Sequence, residues 1–589
     1  MAINTEFLIF LVLYLLIGGK ILLQALRNIS HGIIFDENFL MCVATIGSFA
    51  LGEYDEAVMV MVLYRVGEFL QDRAVDKSRK AISDLMDIRP DFANIESNGE
   101  LKKVKPEEVK VGDIIVVKPG ERIPLDGVIS EGQSRVDTAA VTGESMPRTV
   151  SIGSEVHSGT INIDGLLRIR VTKISTESTA ARIIELVENA AASRAKSERF
   201  ITKFAGYYTP AVCGLALGLA LIPPLFFAQT WSIWINRALI FLVVSCPCAL
   251  VISIPLGFFG GIGGASSKGI LIKGGNYLEA LSKCDTIVFD KTGTITKGVF
   301  TVVAVHSEMM DEDALLELAA YAESFSDHPV SRSLADEYGK HIDKSRVKEA
   351  KEVPGRGITS VVDGKTVSCG NAKYMRELEI KYEECKIHNF GNIVDVAVDG
   401  QYMGHIVISD IVKEDAKNAV GRLRELGIKR IVMLSGDTEE IAQEVAENVG
   451  MDEWHGSMLP EDKVSVTKEL MSLCETGRKL AFVGDGINDA PVLMTADLGI
   501  AMGGMGSAAA VEAADIVLMN DRPSDVAQAV KIARKTMKII YENIYGSIGI
   551  KVAVLILTAF GLSNMWMAIF ADVGVCMLAI LNSMRALRS

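Results

Sequence analysis

Asp290-Lys291-Thr292-Gly293-Thr294 follows the apolar run Thr286-Ile287-Val288-Phe289 and precedes Ile295-Thr296-Lys297-Gly298. Apolar and β-branched residues bounded by turn formers predict a short buried strand whose C-terminal end presents the Asp290 carboxylate. In an open α/β sheet that end is where ligands and chemistry collect. A carboxylate there attacks a phosphoryl group only when a metal and a lysine relieve the repulsion between like charges. Later segments supply both kinds of group. Ile431-Val432-Met433-Leu434 runs into Ser435-Gly436-Asp437, and Phe482-Val483-Gly484 runs into Asp485-Gly486-Ile487-Asn488-Asp489, with Lys463 after Pro460-Glu461-Asp462 between them. An acidic turn after a strand is ordinary α/β architecture, so each piece alone decides nothing.

Together and in this order, these motifs resemble the P-type ATPases, whose phosphorylation domain has the haloacid-dehalogenase-like (HAD-like) fold, and the resemblance extends over nearly the whole chain. It implies that Asp290 accepts the γ-phosphoryl group of ATP within a signature that includes Lys291 and Thr292. Mg2+ is then expected on Asp290, the Thr292 carbonyl and Asp485, with Lys463 neutralising charge and Asn488 and Asp489 supporting that shell. Ser435 stands where the family usually has threonine; the hydroxyl is kept, so contact with phosphate is still expected, and Asp437 closes on the nucleotide from the side.

The chain has 589 residues, too many for one hydrophobic core. Half of it is apolar and mean hydropathy is +0.28, yet 23% of residues are charged, which suggests membrane helices segregated from soluble domains. A net charge of -14 argues against a nucleic-acid partner. Nine cysteines scattered over this length form no disulfide framework.

Phe7 to Ile17 is continuously apolar, and Gly18-Gly19-Lys20 precedes a second apolar run to Arg27. Its positive charges follow the apolar run rather than preceding it, so a mature helix is expected rather than a signal peptide, with the basic end in the cytosol and a kink at the paired glycines. Phe39 to Leu51 and Ala57 to Leu70 form a hairpin, with Glu56 near the outer mouth as a possible exit residue. Tyr208 to Phe227, Trp234 to about Ile262, Ile548 to Leu562 and Trp566 to Leu581 complete seven apolar spans, and Arg585 and Arg588 place the C-terminus in the cytosol. Heavy-metal members of the family generally have eight spans and a Cys-x-x-Cys domain before them, which leaves a truncated and a natural short form both open.

Between the membrane segments, alternating patterns such as Leu167-Arg168-Ile169-Arg170-Val171 predict a small β-rich domain. It carries Thr142-Gly143-Glu144-Ser145. Hydrolysis of an aspartyl phosphate needs a carboxylate to orient and deprotonate water, and the resemblance to the actuator-domain loop gives that role to Glu144. The insertion after the phosphorylation strand contains Glu323-Ser324-Phe325-Ser326-Asp327-His328-Pro329 and Gly355-Arg356-Gly357. Their pairing resembles the nucleotide-binding domain of the metal-transporting branch. By that resemblance His328 contacts adenine and Gly355 and Gly357 let the backbone approach the nucleotide.

Cys246-Pro247-Cys248 lies inside an apolar span. Residues two apart on a helix point about 200° away from each other, so two thiols reach one ion only if the helix unwinds. Pro247 removes a backbone donor and unwinds it, freeing carbonyls as well. A kink with two incidental small residues is the alternative. Lys551 and Asp572 are intramembrane charges 21 residues apart, a spacing that with Ala571-Asp572-Val573-Gly574 resembles the zinc, cadmium and lead exporters, although a structural ion pair is the plainer reading. Two thiolates and a carboxylate carry one negative charge more than a divalent ion neutralises, and Lys551 balances the excess. Mixed sulfur and oxygen donors suit Zn2+ and larger soft divalent ions, whereas Mg2+ and Ca2+ prefer all-oxygen shells and Cu+ gains little from a carboxylate.

The expected protein is a multi-domain α+β membrane protein that exports Zn2+, Cd2+ and Pb2+ with ATP. A transmembrane bundle carries a HAD-like α/β phosphorylation domain, an α+β nucleotide-binding domain and a β-rich actuator domain. The boundaries read are membrane helices over 1–80, actuator over 81–199, helices with Cys-Pro-Cys over 200–275, phosphorylation domain over 276–298 and 408–538, nucleotide-binding domain over 299–407 and the last helices over 539–589. Metal ion, ATP and lipid are its expected partners, as a monomer in the plasma (inner) membrane with catalytic domains in the cytosol. A Cu+ exporter, a membrane-anchored HAD-type phosphohydrolase and a metal sensor with an idle ATPase are the competing readings.

Overall fold

The structure is a computed structural model. It describes residues 5–31, 37–86, 90, 92–97, 100–138, 147–181, 196–227, 230–245, 248–326, 328–353, 356–381, 392–485, 489–503 and 508–588. The Thr142 to Ser145 loop with Glu144, Cys246, Pro247, Gly355 and Asn488 lie outside the described residues, as does the side chain of Cys248. The chain divides into two compact units, Met1–Lys283 with Ala529–Ser589 and Cys284–Gln528. That division falls inside the single helix Ser524–Ala559, so neither it nor the expected boundary at 538 coincides with a loop.

In the first unit, five described helices are long and apolar enough to cross a membrane, with Asn38–Leu51 as a shorter apolar helix. Thr5–Ser30 is helical without interruption through Gly18 and Gly19, so the expected kink is not a break in the helix. Gly18 instead permits close packing: a Cβ there would lie 2.9 Å from Met61 Cγ on the Tyr54–Met86 helix. The buried Tyr14 hydroxyl and Thr45 Oγ1 are hydrogen-bonded at 2.7 Å, which satisfies both polar groups among apolar neighbours.

The span around Cys-Pro-Cys is described as Trp231–Val244, a turn at Ser245, and Cys248–Ser266, and the expected unwinding at Pro247 falls on a residue outside the described ones. Beyond it, Gly257, Gly260 and Gly264 lie against the last helices: a Cβ at Gly257 would meet Ile540 Cγ1 at 2.8 Å and one at Gly264 would meet the Ala586 carbonyl at 2.8 Å. Small residues at such spacings let membrane helices approach closely enough for dispersion to hold them. Asn543 clamps the same place by donating to the Ala579 carbonyl at 3.0 Å and Ser583 Oγ at 2.8 Å, and Ser583 donates to the Ser253 carbonyl at 2.8 Å.

The last span is interrupted. Met565–Ile569 and Val575–Ser583 are joined by a π-helical turn, Phe570–Gly574, whose extra residue rotates Asp572 relative to an ideal helix. Gly67 on the Tyr54–Met86 helix receives this turn, since a Cβ at that position would lie 2.5 Å from Val573 Cγ1. The polar segment of this unit forms an antiparallel sheet in the order Glu100–Val104, Ala93–Ser97, Ile114–Val117, Leu167–Val171, Gly127–Glu131, Glu155–Val156. Leu167, Ile169 and Val171 are buried with Ile115, Val117 and Ile129, while Arg168 on the other face pairs with Glu96 and Glu131, as the alternating sequence requires.

The second unit is built on parallel strands in the order Ile516–Leu518, Leu498–Ala501, Lys479–Gly484, Cys284–Asp290, Arg430–Leu434, Glu453–His455. The Cys284–Asp290 strand is buried along its whole length, with Val288 packed among Val432, Leu434, Leu480 and Phe482. Parallel sheets covered on both faces read as continuous apolar runs, which is why this strand was legible. The insertion leaves and returns through paired antiparallel strands, Thr296–Ser307 and Gln401–Val412, and continues as Asn392–Val398, Lys365–Gly370, Gly357–Val362 and Val347–Val353. Helices Glu312–Ala322 and Pro329–Tyr338 cover it through Leu315, Ala319 and Leu334 against Ile358, Val396 and Ile406.

Gly67→Val tests the packing that sets the turn bearing Asp572. Overpacking of this kind costs about 1–3 kcal/mol, so the purified full-length chain is expected to melt several degrees lower, and an unchanged midpoint would show that the contact is not tight.

Candidate active site and membrane charge pair

Three adjacent parallel strands end at the same level. Asp290 lies opposite Leu434, one residue before Ser435, and Phe289 lies opposite Val483, two residues before Asp485. The strand ends therefore bring together Asp290, Ser435 and Asp485, as the alternation of strands and acidic turns predicts. The first turn of the Pro460–Ser472 helix adds Lys463. Its ammonium donates to Asp290 Oδ1 and, at 2.9 Å, to Asp489 Oδ1. All three side chains are buried.

Two carboxylates thus share one lysine, with Asp485 close by. Burial, reinforced by the negative charge of Asp489, pushes the Asp290 carboxyl up to about 7 despite the ammonium beside it. Burial works against the charge on Lys463, but Asp290 and Asp489 outweigh it and the lysine is held above its usual range. The centre keeps its cation and carries more negative charge than that cation balances.

The turn after Asp290 is shaped for a partner. Gly293 adopts φ +72°, in the left-handed region, and a Cβ there would lie 3.1 Å from Asp485 Oδ2. Lys413, which the sequence reading did not single out, donates to the Gly293 carbonyl at 3.0 Å and to Asp521 at 2.6 Å. Thr296 donates to the Lys291 carbonyl at 2.9 Å and lies against the buried Asp410 carboxylate. Lys291 is buried and ion-paired to Asp437, whose backbone N–H donates to Ser435 Oγ at 3.0 Å. The carboxylate expected to face nucleotide therefore holds the signature lysine. Lys413 and Asp410 close the Gln401–Val412 strand, so the strand-end rule that located Asp485 would have located them too.

A hard divalent cation fits these donors. Asp489 Oδ2 is buried and has no hydrogen-bond partner, and Asp485 faces the space that a side chain at Gly293 would fill. Oxygen-only donors with excess negative charge suit Mg2+. Asn488, expected to support this shell, lies outside the described residues.

In the insertion, Glu323 is buried and accepts from Ser331 Oγ at 2.6 Å, and burial raises its carboxyl above the usual range, with Glu352 adding to the effect. His328 is exposed and caps the Pro329–Tyr338 helix, its Nδ1 accepting from the Val330 N–H at 3.3 Å. Gly357 serves strand packing: a Cβ would lie 2.2 Å from the Cys369 carbonyl and 2.6 Å from Gly370 Cα. The close approach it allows is to the Lys365–Gly370 strand, where the sequence reading expected an approach to nucleotide. Gly355 lies outside the described residues.

In the membrane unit, Lys551 donates to Asp572 Oδ1 at 3.0 Å and to the Val244 carbonyl at 3.1 Å, and both charged side chains are buried. Val244 is the last residue of its helix, where a carbonyl lacks an intrahelical partner and is open to a side-chain donor. Glu56 sits in the first turn of the Tyr54–Met86 helix, where the helix dipole favours a carboxylate. Among the described residues no cluster of three or more His, Cys, Asp and Glu is placed to hold a metal. Cys246 lies outside them and so does the Cys248 thiol.

Residues 87–188 match the P-type ATPase actuator domain, and residues 284–497 match the haloacid dehalogenase-like hydrolases. The chain is 51% identical over 585 residues to the cadmium, zinc and cobalt-transporting ATPase of Bacillus subtilis, a match covering 99% of this chain and 83% of that protein. It is 50% identical over 583 residues to the zinc-transporting ATPase of Synechocystis sp., covering 98% and 80%. Its structure resembles a crystal structure of a zinc-transporting PIB-type ATPase in an E2.Pi state, with a TM-score of 0.63 and 35% identity over 100% of this chain and 96% of that one.

The charge excess at Asp290 gives a pH-dependent prediction. Between the ordinary carboxylate pKa and about 7, the folded protein keeps a proton that the unfolded chain has lost, so stability falls as pH rises through that window. Asp290→Asn, neutral throughout, is expected to raise the melting midpoint of metal-free protein, by more at about pH 8 than at about pH 5. Thermal melts of both proteins in chelator decide it; an equal shift at the two pH values would place the excess charge elsewhere.

Proposed function

The chain belongs to the heavy-metal-transporting P-type ATPases, and from that premise we propose that it exports Zn2+, with Cd2+ and Pb2+ as further cargo, through phosphorylation of Asp290. It is an ATP-hydrolysing translocase embedded in the membrane through apolar helices. The observation that carries the cargo assignment is the buried Lys551–Asp572 pair against the carbonyl of Val244, the end of the Trp231–Val244 helix, which Cys246 and Cys248 follow in sequence. A soft divalent ion binds the two thiolates and Asp572 and takes over the role of the ammonium as partner of the carboxylate. When the ion leaves, Lys551 returns to Asp572. Glu56 guides the departing ion at the outer mouth.

An Asp290 carboxylate oxygen attacks the γ-phosphorus of ATP in line, the Pγ–O bond to the β-phosphate breaks and ADP leaves, and Lys463 neutralises the charge gathered there. Asp290, the Thr292 carbonyl and Asp485 would hold Mg2+, which would neutralise the phosphate oxygens and keep the Asp290 carboxyl ionised. Lys463 and Asp489 hold the carboxylate in one orientation, Asn488 supports that arrangement, and Ser435 donates to the phosphoryl oxygen. The Lys291–Asp437 pair fixes the turn under the nucleotide. Glu323, His328, Gly355 and Gly357 shape the adenine site, and Glu144 orients the water that hydrolyses the aspartyl phosphate. The protein works as a monomer in the plasma membrane.

Removing one partner of a buried ion pair costs about 3–5 kcal/mol, because the remaining charge stays desolvated. Lys551→Ala is therefore expected to lose most zinc-stimulated ATP hydrolysis, and wild-type transport by this variant would sink the counter-charge role. Asp290→Asn should abolish the acid-stable phosphoenzyme, and Cys246→Ala should abolish stimulation by metal. ATPase activity of purified protein against Zn2+, Cd2+, Pb2+, Co2+ and Cu+ tests the cargo; stimulation by Cu+ alone would overturn it.

A further inference from the structure

On the Ser524–Ala559 helix, Arg534, Lys538, Tyr541 and Tyr545 recur at spacings of three and four residues and share one face. The same face continues through Ile548, Val552 and Ile556, which are 40%, 48% and 52% exposed. Tyr541 and Tyr545 stack with ring centroids 6.1 Å apart, and Tyr545 is 71% exposed. Cations, then aromatics, then aliphatics along one helix face follow the polarity gradient of a lipid leaflet.

The helix has 36 residues and so is about 54 Å long, whereas a hydrocarbon core needs about 20 residues. Counted back from Ala559, the core begins near Ile540, which puts the tyrosines at the boundary and the cations on the cytosolic side. There Arg534, Met537, Lys538, Tyr541 and Tyr545 line an open groove of about 630 Å³ with Ser282 and Lys283, at the C-terminal end of the Gly275–Ser282 helix. The carboxylate in its wall, Glu542, is occupied by Asn582 at 3.3 Å and Arg585 at 3.6 Å. Lys283 is bridged to Glu279 at 2.7 Å, and Lys538 is exposed.

We propose that this groove binds the headgroup phosphate of an anionic phospholipid, with an acyl chain laid along Tyr545, Ile548, Val552 and Ile556. The cationic side chains at the groove, Lys538 exposed among them, select a phosphate, and the mostly apolar groove surface and the apolar face running on from it select a lipid over the free ion. The helix carries Lys551 on its buried side, so an occupied site holds that residue at a fixed depth. The inference rests on membrane embedding alone and is independent of which metal is carried.

Native mass spectrometry of the full-length protein, released from vesicles of phosphatidylcholine with phosphatidylglycerol, reads the site directly. Preferential retention of phosphatidylglycerol is expected. A lysine or arginine at a membrane surface strengthens binding of anionic lipid by about fivefold, so Arg534→Gln with Lys538→Gln should cut the preference by about tenfold or more, while Lys538→Arg keeps it. Equal retention of the two lipids, or an undiminished preference in the double variant, would overturn the proposal. Displacement of phosphatidylglycerol by inorganic phosphate would make it a free-phosphate site instead. A photoactivatable phosphatidylglycerol on the wild-type protein covers the case of a misfolded variant: crosslinks within 534–556 support the site, and their absence there refutes it.

Discussion

A carboxylate buried beside a lysine recurs at both chemical centres of this protein, and the arrangement of each centre follows from it. An isolated buried charge costs several kcal/mol, so neither carboxylate persists in ionised form without a cation within reach. Lys463 serves Asp290 and Asp489 together, while Lys551 serves Asp572 alone. The difference in ratio separates the two chemistries. One lysine between two carboxylates leaves an excess of negative charge, which adds to burial, the larger cause, in raising the Asp290 pKa, and suits a site that takes up a hard divalent cation. One lysine against one carboxylate is neutral and closed, and suits a site that a cationic cargo must open.

Regular secondary structure delivers the first centre and interrupted structure delivers the second. Parallel strands end in register, so Asp290, Ser435 and Asp485 arrive together without strain in the strands themselves. The conformational demand is confined to Gly293, where only glycine leaves room for Asp485 and Lys413 fixes the carbonyl. In the membrane, a helix end offers the Val244 carbonyl and a π-helical turn carries Asp572. Backbone irregularity at that depth is tolerated only when buried and satisfied, which the Lys551 ammonium achieves.

The catalytic strand was legible because a strand buried on both faces is continuously apolar, and because the acidic turns follow such strands directly. The pairing of Lys551 with Asp572 was legible from the expense of charge in an apolar span. Lys413 and Asp410 were not singled out, although they close a strand as Asp485 does and lie in the 408–538 segment read as phosphorylation domain, because no Gly-rich acidic turn follows that strand as one follows Phe482-Val483-Gly484. At Gly357 the structure shows a second use for the missing side chain. A glycine in a Gly-x-Gly pair has the same signature whether its missing side chain makes room for a ligand or for the next strand, and here the room is taken by Cys369 and Gly370.

By itself, then, the sequence determined the residue types, the order of strands and spans, and the demand that each buried carboxylate find a cation, since those follow from local hydrophobicity and charge. Tertiary structure alone decided which lysine meets which carboxylate, which carbonyl the helix end offers, and how closely the strands approach at Gly357. These depend on register and on close approach between segments as far apart as Val244 and Lys551, and the distance between residues distant in sequence is not a property of any local stretch of chain.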